Sequence, residues 1–230
     1  HKHGPTSRAT WNMNASWPTT LFTGKELTVV AVCYLLGCFT TGYYWVRWRT
    51  GQDIRQFGSG NAGARNVGRL LGTTGFLVTL LLDAAKGVLA VDLAVFCGLG
   101  TEGLIAAMLA VVAGHSWPIQ LRFQGGKGIA TSLGVILAYD PRITLVLLAL
   151  FLPGWVLLRS FTLGGLLAFA LCPLFIFLWG LDYQAVAAMS FMAILAHVTH
   201  RKNLREGLAR RQPARVARPP NDPSDHDHAS

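Results

Sequence analysis

The stretch "LTVVAVCYLLGCFTTGYYWV", residues 27–46, runs twenty residues without a formal charge. An α-helix rises about 1.5 Å per residue, so about 20 apolar residues cross the roughly 30 Å of bilayer hydrocarbon. The stretch therefore reads as a membrane span. Outward from it, apolar blocks recur at 71–98, 103–121, 128–139, 143–158, 162–180 and 184–199. The block "GIATSLGVILAY" (128–139) is short for a full crossing. It is tilted, extended by its flanks, or a re-entrant helix buried against protein. The expected fold is an all-α integral membrane protein of about seven transmembrane helices.

Composition agrees. Of 230 residues, 52% are hydrophobic and 13% charged, against about 25% charged in soluble domains. The net charge of +9 is unevenly spread: seven basic residues fall between Arg201 and Arg218, and five arginines between Arg47 and Arg69. A nucleic-acid binder can be this basic. Here the arginines sit in connections between apolar blocks, which fits a positive-inside bias and no nucleic-acid partner. The basic connections alternate with links at Glu102, Asp140 to Arg142 and Asp182 that are acidic or near neutral. Seven spans satisfy that alternation with the N-terminus outside and the C-terminus cytoplasmic. Residues 1–24 read as a polar arm without a cleavable signal pattern, 25–208 as the membrane domain, and 209–230 as a disordered tail. Cys33, Cys38, Cys97 and Cys172 lie in apolar blocks without CxxC spacing, so neither a zinc site nor a disulfide framework is indicated.

Five polar clusters fall on the side assigned to the cytoplasm. In "GSGNAGARN" (58–66), glycines let backbone N–H groups converge on an anion. Ser59, Asn61 and Asn66 offer further hydrogen bonds, and Arg65 and Arg69 offer charge; the plainer reading is a turn. "GGKG" (125–128) precedes a helix whose N-terminus attracts anions, with Lys127 adding a full charge. It lacks the Walker spacing, so a nucleotide is not indicated; the plainer reading is a turn contacting lipid headgroups. In "DAAKG" (83–87), Asp83 and Lys86 share a helix face. Charges within a span cost roughly 2.5–3.5 kcal/mol each on insertion scales and are usually functional, the alternative being a self-neutralising structural pair. "GHSWP" (114–118) places His115 near a span end, and "HVTHRKN" (197–203) places His197 and His200 three apart. Two histidines without a nearby carboxylate are weak evidence for a metal. Together the clusters describe a phosphate site beside acyl chains.

These segments resemble the bacterial membrane glycerol-3-phosphate acyltransferase family that uses acyl phosphate as donor, the PlsY family. Its pattern runs G-S-G-N-x-G-A-T-N-x-x-R, D-x-x-K-G, G-H-x-x-P with F-x-G-G-K-G-x-A-T, and H-R-x-N. Here these stand as "GSGNAGARNVGR", "DAAKG", "GHSWPIQLRFQGGKGIAT" and "HRKN", over residues about 30 to 208. The resemblance implies acyl transfer from acyl phosphate to the 1-hydroxyl of sn-glycerol 3-phosphate at the cytoplasmic face of the bacterial inner membrane. It implies no metal and no cofactor. It assigns catalysis to Lys86, Lys127 and His200. Substrate or phosphate binding falls to Cys38, Arg47, Arg49, Ser59, Gly60, Asn61, Gly63, Asn66, Arg69, Asp83, His115, Gly125, Gly126, Gly128, Thr131 and Asn203. Two departures stand out. Cys38 replaces a family serine, and a thiol is the poorer hydrogen-bond donor; Arg65 replaces a threonine. The alternatives are a catalytically weakened relative that binds acyl phosphate or anionic lipid, and a transporter of an organic phosphate.

Overall fold

The computed structural model describes residues 22–209, with side chains through Arg201. Among them there is no β-strand. The α-helices are α1 Gly24–Cys38, α2 Thr41–Thr50, α3 Ala64–Phe96, α4 Thr101–Ser116, α5 Ile129–Tyr139, α6 Pro141–Leu158, α7 Phe161–Leu178 and α8 Tyr183–Ala209. The all-α expectation holds. Four described stretches are long and apolar enough to cross a membrane: Gly24–Thr50, Thr101–Leu121, Pro141–Leu158 and Phe161–Leu178. Large apolar side chains such as Leu35, Phe96, Val156, Leu157 and Leu178 face outward, a surface suited to lipid and unusual in water. Apart from their inner ends, the arm and tail read at 1–24 and 209–230 lie outside the described residues.

Local chemistry sets the helix ends. Thr23 and Glu26 form a reciprocal capping box: Glu26 N donates to Thr23 Oγ1 at 3.2 Å, and Thr23 N donates to the Glu26 carboxylate at 2.8 Å. Asp140 caps α6 by accepting from Arg142 N at 2.9 Å, with Pro141 opening the helix.

Two features differ from the sequence reading. The stretch 27–46 is not one continuous helix: Phe39 and Thr40 are extended, separating α1 from α2. Neither is Gly or Pro, so residue type alone gives no stop signal. The break is held instead by tertiary hydrogen bonds, described below. Secondly, the polar connection at 47–69 is shorter than expected. Arg47 and Arg49 belong to α2, and Arg65 and Arg69 to the first turns of α3. Within α3, Gly72 takes φ 68°, ψ −164°, a conformation only glycine adopts readily, and the helix bends there.

The packing places α1 on α4, α3 on α5, α6 on α7, and α7 on α8. Glycines set the first two crossings. Gly37 faces the Val111 carbonyl and Gly114 the Tyr34 carbonyl; Gly87 faces the Thr131 carbonyl and Gly134 the Ala84 carbonyl. A Cβ at any of them would collide with backbone, so small residues here let helix axes approach closely. Gly134→Val should therefore cost about 1–3 kcal/mol through overpacking. Gly165→Ala, where a Cβ meets open space, should cost nothing. Thermal unfolding of both variants in detergent checks this.

Candidate active site

Two loops form one end of the site, and buried polar groups fasten each. Asn66, on the first turn of α3, is buried. Its Oδ1 accepts from Ser59 N at 3.0 Å, and its Nδ2 faces the carbonyls of Ile54, Phe57 and Asn61 at 3.2, 2.9 and 2.9 Å. Arg55 links this loop to the next, donating Nη1–H to Leu121 O at 2.8 Å, and Ala62 N donates to Gly125 O at 3.3 Å. Asp53 holds Arg55 through Nη2 at 2.6 Å, and the same hydrogen bonds keep the Asp53 carboxyl below the usual carboxylate range.

The second loop is also fastened from within. The amides of Gly125 and Gly126 do not converge on an open anion nest: they donate to Ser116 O and His115 O, at 3.1 and 3.0 Å. Gly126 lies against the His115 ring, where no side chain fits. Gly128 is left-handed, φ 78°, and starts α5. Thr199 Oγ1 donates to Lys127 O at 3.1 Å, tying α8 to the loop.

Beneath the loops lies a charged cluster. Lys86 Nζ is 2.9 Å from Asp83 Oδ1, and His115 Nδ1 is 3.6 Å from the same oxygen. Thr41 Oγ1 donates to that oxygen at 3.0 Å. Lys86 Nζ also donates to Gly37 O and Phe39 O, at 3.1 and 2.7 Å, and lies 2.9 Å from His115 Nδ1. The ammonium has three N–H groups for these four neighbours. Asp83 Oδ2 is buried and takes no hydrogen bond from any described residue.

A cavity of about 480 Å³ opens on this cluster. Its polar end is lined by Ser59, Asn61, Gly63, Arg69, Asp83, His115, Lys127, Gly128 and His200. Its apolar part is lined by Phe76 and Leu80 of α3, Leu133 of α5, Leu147 and Phe151 of α6, and Phe161 and Phe169 of α7. His200 Nδ1 lies 2.9 Å from Ala196 O, which fixes its proton there and leaves Nε2 as the remaining ring nitrogen. Among the described residues, no three His, Cys, Asp or Glu side chains gather as a metal site.

Several residues read from sequence as catalytic or substrate-binding stand outside this lining. Lys86 is behind Asp83 with its donors engaged. Cys38 is buried at the last residue of α1, and Asn66 is spent on its loop. Thr131 is buried in α5, and Gly60, Gly125 and Gly126 are absent from the wall. Arg47 Nη1 donates to Gly51 O at 2.6 Å, and Arg49 lies over the Trp48 ring at 6.0 Å. The Asn203 side chain is outside the described ones. Sequence reading missed Thr41, Gln120, which donates to Cys38 O at 2.6 Å, and the aromatic wall. Its sequence signal is helical spacing alone, Phe76 with Leu80, Leu147 with Phe151, and Phe161 with Phe169, which any buried helix face shares.

The cavity is lined by cationic and polar side chains together with aromatic and aliphatic ones, among helices fit for lipid, as in a membrane protein. The model of the family described as "Glycerol-3-phosphate acyltransferase" matches residues 27–210, and the chain belongs to that family. Glycerol-3-phosphate acyltransferase 1 of Desulfitobacterium hafniense (strain Y51) is 44% identical over 184 residues, 80% of this chain and 91% of that protein. The Clostridioides difficile (strain 630) glycerol-3-phosphate acyltransferase is 39% identical over 187 residues, 79% and 91%. Two crystal structures of PlsY (YgiH), an integral membrane glycerol 3-phosphate acyltransferase, superpose on it. The glycerol 3-phosphate form has a TM-score of 0.73 at 33% identity, covering 82% of this chain and 94% of that one. The lysophosphatidic acid form has 0.72 at 32%, with the same coverage.

Removing one partner of a buried ion pair leaves the other uncompensated, at about 3–5 kcal/mol. Lys86→Met should therefore unfold at clearly lower temperature in detergent than the parent. Lys127→Met, in the cavity wall, should shift the unfolding temperature far less.

Proposed function

We propose that the chain transfers a fatty acyl group from acyl phosphate to the 1-hydroxyl of sn-glycerol 3-phosphate, releasing lysophosphatidate and inorganic phosphate. The observation that carries this is the two-sided cavity, in which Arg69, Lys127 and His200 share one volume with the wall of Phe76, Phe151 and Phe169. The relatives' names, and the glycerol 3-phosphate and lysophosphatidic acid forms of the neighbour, support the acceptor and the product. The donor follows from the family resemblance and from chemistry. An acyl phosphate is already activated, so the enzyme has mainly to bring two phosphate-bearing molecules together and offset their repulsion.

In this reading Arg69 and Lys127 neutralise the phosphates, and Ser59, Asn61 and the start of α5 donate hydrogen bonds. The acceptor hydroxyl attacks the acyl carbonyl carbon, and the bond from that carbon to the phosphate oxygen breaks. Phosphate departs with the shared electron pair, and the hydroxyl proton passes to a substrate phosphate. Asp83, in the cavity lining, supplies the negative charge that offsets Lys86 and accepts the Thr41 hydroxyl. His200 and Asn203 orient the glycerol phosphate. Lys86 acts as a positioning residue, holding Asp83 and His115 in register. The seven-span topology follows, with the N-terminus outside and the basic connections cytoplasmic, in a bacterial inner membrane.

The Cys38 exchange favours a weakened relative only if Cys38 touches substrate. Its burial outside the cavity wall supports an active enzyme instead.

Purified protein given palmitoyl phosphate and glycerol 3-phosphate should form lysophosphatidate and phosphate in equal amounts. Palmitoyl-coenzyme A should not replace the donor, and turnover with it would overturn the donor assignment. Lys127→Ala and His200→Ala should each lower turnover by about 10²-fold or more, as expected for loss of a group acting on transition-state charge. Unchanged rates in both would reject the site.

A further inference from the structure

Arg65 stands on the first turn of α3, where the family pattern carries threonine, and its guanidinium turns toward α7. Nη1 donates to Thr162 Oγ1 at 3.3 Å, and Cζ lies 4.9 Å from the centroid of the Phe161 ring. Phe161 in turn packs edge-on against Phe151 at 4.9 Å and Trp155 at 6.0 Å, both on α6. The contact therefore runs from α3 through one guanidinium into an aromatic group shared by α6 and α7.

Its position gives the contact a consequence. α3 packs chiefly on α5 and α4, and α7 on α6 and α8, with the cavity between the two groups. Arg65, Phe161 and Thr162 all line that cavity, so Arg65 spans it from one side to the other. A guanidinium can stack on an aromatic face and donate in its own plane at the same time. A threonine at this position is too short to reach α7. An ammonium keeps the charge but lacks the flat, stacking surface.

We infer that Arg65 is a specificity-determining residue for the amphiphilic substrate. It clasps the start of α7 and holds the Phe161 ring as a wall against which the tail packs, while other groups hold the phosphate. The inference rests on the acyltransferase reading in one respect, that the substrate carries an anionic head on an apolar tail.

The test is binding of a series of straight-chain alkylphosphonates, ethyl, octyl, dodecyl and hexadecyl, to protein in lipid nanodiscs, measured by calorimetry. In the parent, affinity should rise by up to about fourfold per buried methylene until the cavity is filled. In Arg65→Thr the hexadecyl compound should bind about three- to tenfold more weakly, the range expected for a lost aromatic contact. Ethylphosphonate binding should be unchanged, so that the dependence on tail length flattens. Phe161→Ala should reproduce that flattening, and Arg65→Lys should fall with the threonine variant. An equal loss across the series, restored by lysine, would make Arg65 a phosphate ligand and overturn the inference. An unaltered series in both Arg65→Thr and Phe161→Ala would overturn it as well. Turnover of palmitoyl phosphate with glycerol 3-phosphate is read on the same samples. A parent that binds the series but forms no lysophosphatidate would reject the proposed reaction, while the binding series still decides the role of Arg65.

Discussion

A helix interrupted inside a bilayer exposes carbonyls that hydrocarbon cannot satisfy, at several kcal/mol each. The break between α1 and α2 falls in a stretch long and apolar enough to cross a membrane, and Lys86 meets it by donating to Gly37 O and Phe39 O. Thr40 and Gln120 take the intervening Cys38 carbonyl. A buried ammonium is itself costly, by several kcal/mol after relaxation, so Asp83 lies beside it at 2.9 Å. The carboxylate needs orienting in turn, and Thr41, the first residue of α2, supplies that bond. Each group in the set exists because of another. The break permits Thr41 to face Asp83, and Asp83 permits Lys86 to hold the break.

This interdependence explains why a lysine that resembles a catalytic one sits behind the cavity wall. Its charge stabilises an irregular backbone, and the irregular backbone shapes the site. The two loops above it follow the same rule. Their glycines are needed where helices or rings come too close for a Cβ, as at Gly126 on His115. The amides of Gly125 and Gly126 bond the end of α4, and positive charge in the cavity lining comes from side chains such as Arg69 and Lys127.

Much of this was legible in the sequence. Uncharged runs of helix length made the all-α membrane fold plain, and the i, i+3 spacing put Asp83 and Lys86 on one face, with the ion pair they form as the alternative to a functional role. The clusters "GSGNAGARN", "GHSWP" and "GGKG" do meet in one place, because Arg55, Ala62 and the α4 carbonyls bind the loops together. Three things escaped. The break at Phe39 and Thr40 carries no local stop residue, since its stability comes from Lys86, some 47 positions away. The division between groups in the cavity wall and groups supporting them depends on which way side chains of one motif point, which spacing does not encode. The span of Arg65 across to α7 joins residues 97 positions apart, beyond any local pattern.

The cavity also sits between two kinds of solvation. One end is built from charges and hydroxyls whose partners are hydrogen bonds; the other is built from rings and aliphatic chains that gain only by contact. An amphiphile seated there satisfies both ends at once, and neither end alone distinguishes it from free phosphate or from bulk lipid. Selection then depends on the distance and angle between the two ends, which rigid helix packing sets through the glycine crossings of α1 with α4 and α3 with α5. On the α6–α7 side the walls are aromatic and more exposed, and Arg65 is the side chain that couples them to α3. That coupling runs through one guanidinium, which meets Thr162 and the Phe161 ring of α7.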